Sequence, residues 1–96
     1  MSIGLNDSLK TEIIELAKKH NIDEVILFGS RARGDYSKVS DIDIAVTGGD
    51  IAGFSIDVND ETNTLLEFDV VNLDGMVQKE LLESIKKEGI IIYEKI

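Results

Sequence analysis

Two short stretches, Glu24-Val25-Ile26-Leu27-Phe28 and Ile42-Asp43-Ile44-Ala45-Val46, are apolar on consecutive rather than alternate residues. Strands of that kind are buried on both faces, so the sheet they belong to needs a layer of chain on each side. The rest of the sequence offers those layers. Between Asp7 or Ser8 and His20, Leu9, Ile13, Leu16 and Ala17 recur at helical spacing. Asp7 or Ser8 can cap the start, and Lys18, Lys19 and His20 lie at the end where cations complement the helix dipole. Ile51, Phe54, Ser55 and Val58 predict a short helix. Leu65 to Leu73 reads as a third strand. Met76 to Lys87 carries Val77, Leu81, Leu82 and Ile85 on one stripe, and Gly89 stops that helix before a last strand, Ile90 to Tyr93. Helices alternating with apolar strands predict an α/β (α+β) sandwich around a mixed sheet of about four strands.

No proline, repeat or low-complexity run interrupts the 96 residues, which read as a single domain, 1–96. No apolar run approaches the roughly 20 residues of a membrane span, and the start, Met1-Ser2-Ile3-Gly4-Leu5-Asn6-Asp7, lacks the pattern of a signal peptide. With no cysteine the chain has neither disulfides nor thiolate metal sites, which fits a cytoplasmic location. A metal ion would have to be held by oxygen or by His20. Ten basic residues against nineteen acidic ones give a net charge of −9. Such a chain gains nothing from the counterion release that drives binding to nucleic-acid backbones, so a polynucleotide partner is disfavoured. A protein partner, or a small triphosphate arriving with its cation, suits it better.

Three features carry chemistry. The first is Phe28-Gly29-Ser30-Arg31-Ala32-Arg33-Gly34, where a buried strand turns into a short helix. Gly29 permits a sharp turn and close approach, Ser30 offers a hydroxyl, and free amides at such a turn suit a phosphate. The second is Ser40-Asp41-Ile42-Asp43, which opens an apolar strand. Strand side chains alternate, so Asp41 and Asp43 share a face about 7 Å apart and repel one another unless something positive lies between them. The third is Asp69 within Glu67-Phe68-Asp69-Val70-Val71. A charge inside an apolar strand is costly unless paired or metal-bound. If the strand of Asp69 lies beside that of Asp43, the three carboxylates meet on one face. Hard oxygen ligands of this kind suit magnesium, and two such ions about 4 Å apart can flank a displacement at phosphorus. Arg31 or Arg33 would offset remaining phosphate charge.

In these residues, Gly29-Ser30-Arg31-Ala32-Arg33-Gly34, then Ser40-Asp41-Ile42-Asp43, then Asp69, the chain resembles the nucleotidyltransferase superfamily typified by DNA polymerase beta. The stretch from Glu61 to Asp74 and the closing Lys-Glu-Gly-Ile-Ile-Ile-Tyr-Glu extend the resemblance to the stand-alone minimal nucleotidyltransferases, the MntA-like antitoxins of HEPN/MNT toxin-antitoxin pairs. The resemblance implies that Asp41 and Asp43 bind two magnesium ions and that Asp69 completes the site and helps activate the nucleophile. It also implies that Gly29 and Ser30 contact the triphosphate of ATP. As partner it implies a HEPN-domain ribonuclease toxin, neutralised in some cases by transfer of AMP to one of its tyrosines.

Other residues read more plainly. His20 is a helix-end dipole contact, and Phe28, Phe54 and Phe68 are core. Tyr36 and Lys38 lie in the loop between the two motifs and read as surface residues. Two functions compete. One is a metal-dependent transferase; the other is a binding module that neutralises its partner by occupying its surface. A polymerase or terminal transferase is disfavoured by the charge.

Overall fold

A sheet that is apolar on both sides must be covered on both, and the chain does this with three long helices and one short one. The computed structural model describes residues 4–96, so the first three residues of the N-terminal stretch lie outside it. The elements run α1 (Asp7–Lys19), β1 (Glu24–Phe28), α2 (Ser30–Arg33), β2 (Ile42–Thr47), α3 (Ile51–Asp60), β3 (Phe68–Asn72), α4 (Lys79–Glu88) and β4 (Ile90–Glu94). The strands form one mixed sheet in the order β3-β2-β1-β4. β1 is antiparallel to both β2 and β4, and β3 is parallel to β2. A parallel pair needs a crossover between its strands, and α3 provides it.

The period-two alternation of β2 sorts its side chains between two cores. Ile42, Ile44 and Val46 join Leu9, Ile13 and Ala17 of α1 and Ile51, Phe54 and Val58 of α3 in the larger one. Ala45 faces the other way and joins Phe28 and Ile85 of α4, with Ile26, Val71, Leu73 and Leu81 packed around them. Asp41 and Asp43 have the parity of Ala45, so the sheet presents them on the face that α4 covers. α4 reaches only part of that face, and the strand ends carrying the two aspartates are left open.

Several boundaries differ from those expected from sequence, each for a local reason. The cap of α1 is Asn6 rather than Asp7 or Ser8: its Oδ1 accepts a hydrogen bond of 2.7 Å from the Leu9 amide. β3 begins at Phe68 rather than Leu65: Glu67 O still accepts from Ile42 N of β2, but amides on either side of it are tied to side chains instead of to a neighbouring strand. Leu66 N donates to Thr64 Oγ1 and Phe68 N to Asn59 Oδ1, while Leu65 is fully exposed. α4 starts at Lys79 rather than Met76, since a turn at Asn72–Gly75 intervenes and leaves Met76 exposed. Gly89 does end α4, but with extended dihedrals (φ −66°, ψ 143°) that any residue adopts. Its glycine is required by space: a Cβ there would lie 2.6 Å from Ile26 Cγ2.

His20 closes α1 against α3. Its Nε2 is 2.7 Å from Asp57 Oδ2 and its Nδ1 is 3.3 Å from Asp50 Oδ2, with Lys19 Nζ 3.1 Å from the same Asp57 oxygen. His20 and then Lys19 hold the Asp57 carboxyl below its ordinary value of 3.8. A carboxylate with a depressed folded-state pKa stabilises above its unfolded pKa, and loses that contribution as pH falls through the folded value. Asp57→Asn is therefore expected to lower the melting temperature at neutral pH. The gap from wild type should close in acid below the ordinary Asp value of 3.8, as thermal melts across that range would show.

Candidate active site

The site is built where β1 ends. Phe28 is opposite Asp43 in the β1–β2 ladder, and the next residue turns sharply into α2. Gly29 has φ 75° and ψ −157°, a region that side chains other than glycine avoid. Its missing Cβ also makes room, for a Cβ there would collide with the Asp43 carboxylate. Ala32 N and Arg33 N both donate to Gly29 O, which leaves the amides at the mouth of the turn directed past the strand end. Ser30, half-buried, opens α2 beside it.

The carboxylates come from β2 and β3. In the parallel ladder Asp43 pairs in register with Asp69, and Asp41 lies two residues before Asp43 on the same face. A cleft of about 280 Å³ is lined by Asp41, Glu67, Phe68 and Asp69. Burial pushes the Asp43 carboxyl above its usual range; Asp69, Asp41 and Glu88 push it further, and Arg33 opposes them. Among the described residues, no three carboxylate or imidazole groups stand close enough to hold an ion as they are. Asp41, Asp43 and Asp69 share a face at one end of the sheet, where like charges repel one another. In donor type and placement they fit a hard divalent cation. All offer carboxylate oxygens, they lie on or beside two adjacent strands, and among the described residues none of the three is in a salt bridge.

The two arginines of the motif take different places. Arg31 is buried and makes four hydrogen bonds to backbone: Nη1 to Gly4 O (2.7 Å), Nε and Nη2 to Ser40 O (3.1 and 3.0 Å), and Nη2 to Ser37 O (3.3 Å). The Tyr36 ring stacks on it, 4.7 Å from centroid to guanidinium carbon. Arg31 thus pins the loop that leads to Asp41, and its donors are spent on carbonyls instead of facing a phosphate. Arg33 remains at the site. Its Nη1 donates to Glu88 Oε1 and Oε2 (3.2 and 3.1 Å), and its Nε to Asp35 (3.1 Å). Lys38 is exposed.

Glu88 is the residue that sequence reasoning passed over. It is the last residue of α4, yet its carboxylate turns inward and also accepts the Gly29 amide at 3.1 Å. One signal was available: an acidic residue at the C-terminal end of a helix, after Lys86 and Lys87, sits against the dipole and calls for a compensating donor.

Three comparisons bear on this arrangement. The family model described as "Polymerase beta, Nucleotidyltransferase" matches residues 11–96. A protein of Methanocaldococcus jannaschii named "Putative protein adenylyltransferase" is 37% identical over 82 residues, covering 75% of this chain and 79% of its own. Among solved structures, a toxin-antitoxin with AMP-PNP superposes with a TM-score of 0.73 at 22% identity, over 90% of this chain and 73% of that one. A mutant of the toxin-antitoxin MntA-HpeT gives 0.73 at 21%, over 95% and 75%. At these identities the two structures are likenesses of fold.

The charge on Asp43 predicts a stability change opposite to that at Asp57. Its folded pKa lies above the unfolded one, so the ionised group weakens the fold at neutral pH and ceases to do so as pH falls through the folded value. Asp43→Asn keeps the shape and removes the charge. Without divalent ions it is expected to melt a few degrees higher than wild type at pH 7, with the difference shrinking in acid. Calorimetry at pH 7 and below the ordinary Asp value of 3.8 checks this.

Proposed function

Since the chain belongs to the polymerase beta nucleotidyltransferase family, we propose that it transfers AMP from ATP to a protein acceptor, using Asp41, Asp43 and Asp69 around divalent cations. One observation carries the reading: the in-register pairing of Asp43 with Asp69, with the Asp43 carboxylate seated against Gly29. This puts the anionic centre of the site next to the amides of the turn where a triphosphate would lie. Enzymes of this family generally use a divalent metal and a nucleoside triphosphate. Here Asp41, Asp43 and Asp69 would hold magnesium, two ions by the family's pattern, and a bound divalent ion supplies charge neutralisation for the triphosphate and the leaving group. The chain's own groups do the positioning. Gly29 N–H and Ser30 would receive the phosphates, Arg33 would offset their charge from the exposed side, and Arg31 would keep the Tyr36–Ser40 loop, and with it Asp41, in place. Asp69, exposed on β3, would accept the proton of the attacking hydroxyl.

The acceptor is read as a tyrosine of a HEPN-domain ribonuclease toxin, so that transfer acts as an antitoxin function. Two findings support this reading: the name of the M. jannaschii relative, and toxin-antitoxin structures of the same fold. The net charge of −9 also suits a protein acceptor better than nucleic acid. Residues 1–96 would act as one minimal domain, in a cytoplasmic setting. Among the described residues no helix is long and apolar enough to cross a membrane.

Incubation with α-labelled ATP, magnesium and the product of the neighbouring gene, followed by intact mass of both chains, tests the proposal. The expected result is a gain of one or more AMP units on the partner. It should be abolished by chelation and reduced about a hundredfold or more in the Asp41→Asn, Asp43→Asn double variant, because metal stabilisation of such transfers is worth several kcal/mol and about 1.36 kcal/mol is tenfold. Retained transfer in that variant would sink the assignment. Co-purification of the two chains with no mass change, and equal protection by the double variant, would make this protein an antitoxin by binding alone.

A further inference from the structure

Glu88 is where the structure holds more than the transfer reading requires. Its side chain is 21% exposed and reaches back from the end of α4 to the mouth of the β1–α2 turn. Oε1 accepts from Gly29 N at 3.1 Å and from Arg33 Nη1 at 3.2 Å, and Oε2 accepts from the same Nη1 at 3.1 Å. The placement is electrostatically unfavourable on two counts. A carboxylate at a helix C-terminus opposes the dipole, and this one adds to the negative field already acting on Asp43. Only the amide and the guanidinium offset that cost, and these are the donors a bound anion would use. A backbone N–H has a single hydrogen, so Gly29 cannot serve Glu88 and a phosphate oxygen at once.

We propose that Glu88 is an intramolecular stand-in for the triphosphate: it occupies Gly29 N–H and Arg33 in the nucleotide-free protein and must withdraw before nucleotide binds. The inference rests on the reading of Gly29 as a triphosphate contact and adds a regulatory step to it. While seated, Glu88 satisfies the turn amide and keeps the Arg33 guanidinium aimed at the anion position. It also sets a threshold, since a nucleotide has to compete with a tethered carboxylate. The three aspartates sit on or beside β2 and β3, fixed by the sheet. Glu88 is a long side chain on the last residue of a helix, and rotation about its own bonds is enough to release it.

The test is equilibrium binding of ATP with magnesium to the full 96-residue chain by calorimetry, for wild type and three variants. Glu88→Ala removes the competitor and is expected to lower Kd by roughly three- to tenfold, the span of one charge-assisted contact at a partly exposed site. Glu88→Gln keeps the shape with a weaker acceptor and should fall between Ala and wild type, which guards against a packing artefact in the alanine variant. Glu88→Asp keeps the charge but shortens the arm by one methylene. It should bind like the alanine variant if direct occupancy matters, and like wild type if Glu88 acts only as a distant negative charge. ATP binding in Glu88→Ala that is unchanged or weaker than wild type, or a Glu88→Asp variant indistinguishable from wild type, overturns the inference and leaves the transfer reading intact. Failure of wild type and all variants to bind ATP overturns both.

Discussion

The site depends on an unneutralised carboxylate held at the start of a buried strand. Ile42 and Ile44, on either side of Asp43, are completely buried, and that burial fixes the backbone of β2 at the sheet's centre. Asp43 cannot leave without moving Ile44 and Val46 out of the larger core. The charge is therefore set by hydrophobic packing on the opposite face, where full burial of an isoleucine or valine is worth about 1.5–3 kcal/mol. β3 then aligns to β2 in parallel and brings Asp69 into register with Asp43. A slip of one residue would move Asp69 to the far face and put Phe68 or Val70 in its place. Phe68, buried among the main-core residues, is what prevents the slip.

Much of this was legible from sequence because it depends on period-two alternation and on strongly apolar runs. β1 was read at its observed limits, the parity of Asp41 and Asp43 placed them on one face, Asp69 was expected to join them only if its strand lay beside theirs, as it does, and Gly29 was read as the turn glycine. Boundaries that depend on side chains tying down backbone were not legible. Asn59 reaching across to Phe68, and the turn at Asn72–Gly75, are contacts whose partners are set by the folded arrangement of α3 and β3. They shorten one strand and one helix without altering any periodic pattern. The arginines make the same point within the site. Spacing alone treats Arg31 and Arg33 as equivalent, two residues apart on a turn. The fold separates them, because the chain from Gly4 and the Ser37–Ser40 loop converge on Arg31 and present it with carbonyls.

On the proposed function the two arginines would divide the work between structure and chemistry. Arg31 is a planar fork surrounded by backbone acceptors and covered by Tyr36, an arrangement that a lysine, with its single point charge, would not reproduce. Its contribution to the site is indirect: it fixes the loop that delivers Asp41. Arg33 lies near the surface, half exposed, and its partners Asp35 and Glu88 are both carboxylates that an incoming anion can replace. A surface ion pair of that type is weak, so exchanging one anion for another there costs little.

The charge balance at the strand ends links these parts. Asp69, Asp41 and Glu88 all act on Asp43 in the same sense and Arg33 opposes them, an excess of carboxylates that would repel a free triphosphate. On the proposed function, nucleotide entry would require positive charge to arrive with it and negative charge to leave. The aspartates on or beside β2 and β3 would meet the first requirement, since their carboxylate oxygens are held by the sheet and a divalent cation would relieve their repulsion at neutral pH. Glu88 would meet the second, being carried by a long side chain at the end of α4 and not on or beside a strand of the sheet. The same chemistry would fail if the roles were exchanged. A mobile Asp43 would relax away from its neighbours and lose the strain that favours metal, and an immobile Glu88 would keep the Gly29 amide permanently filled.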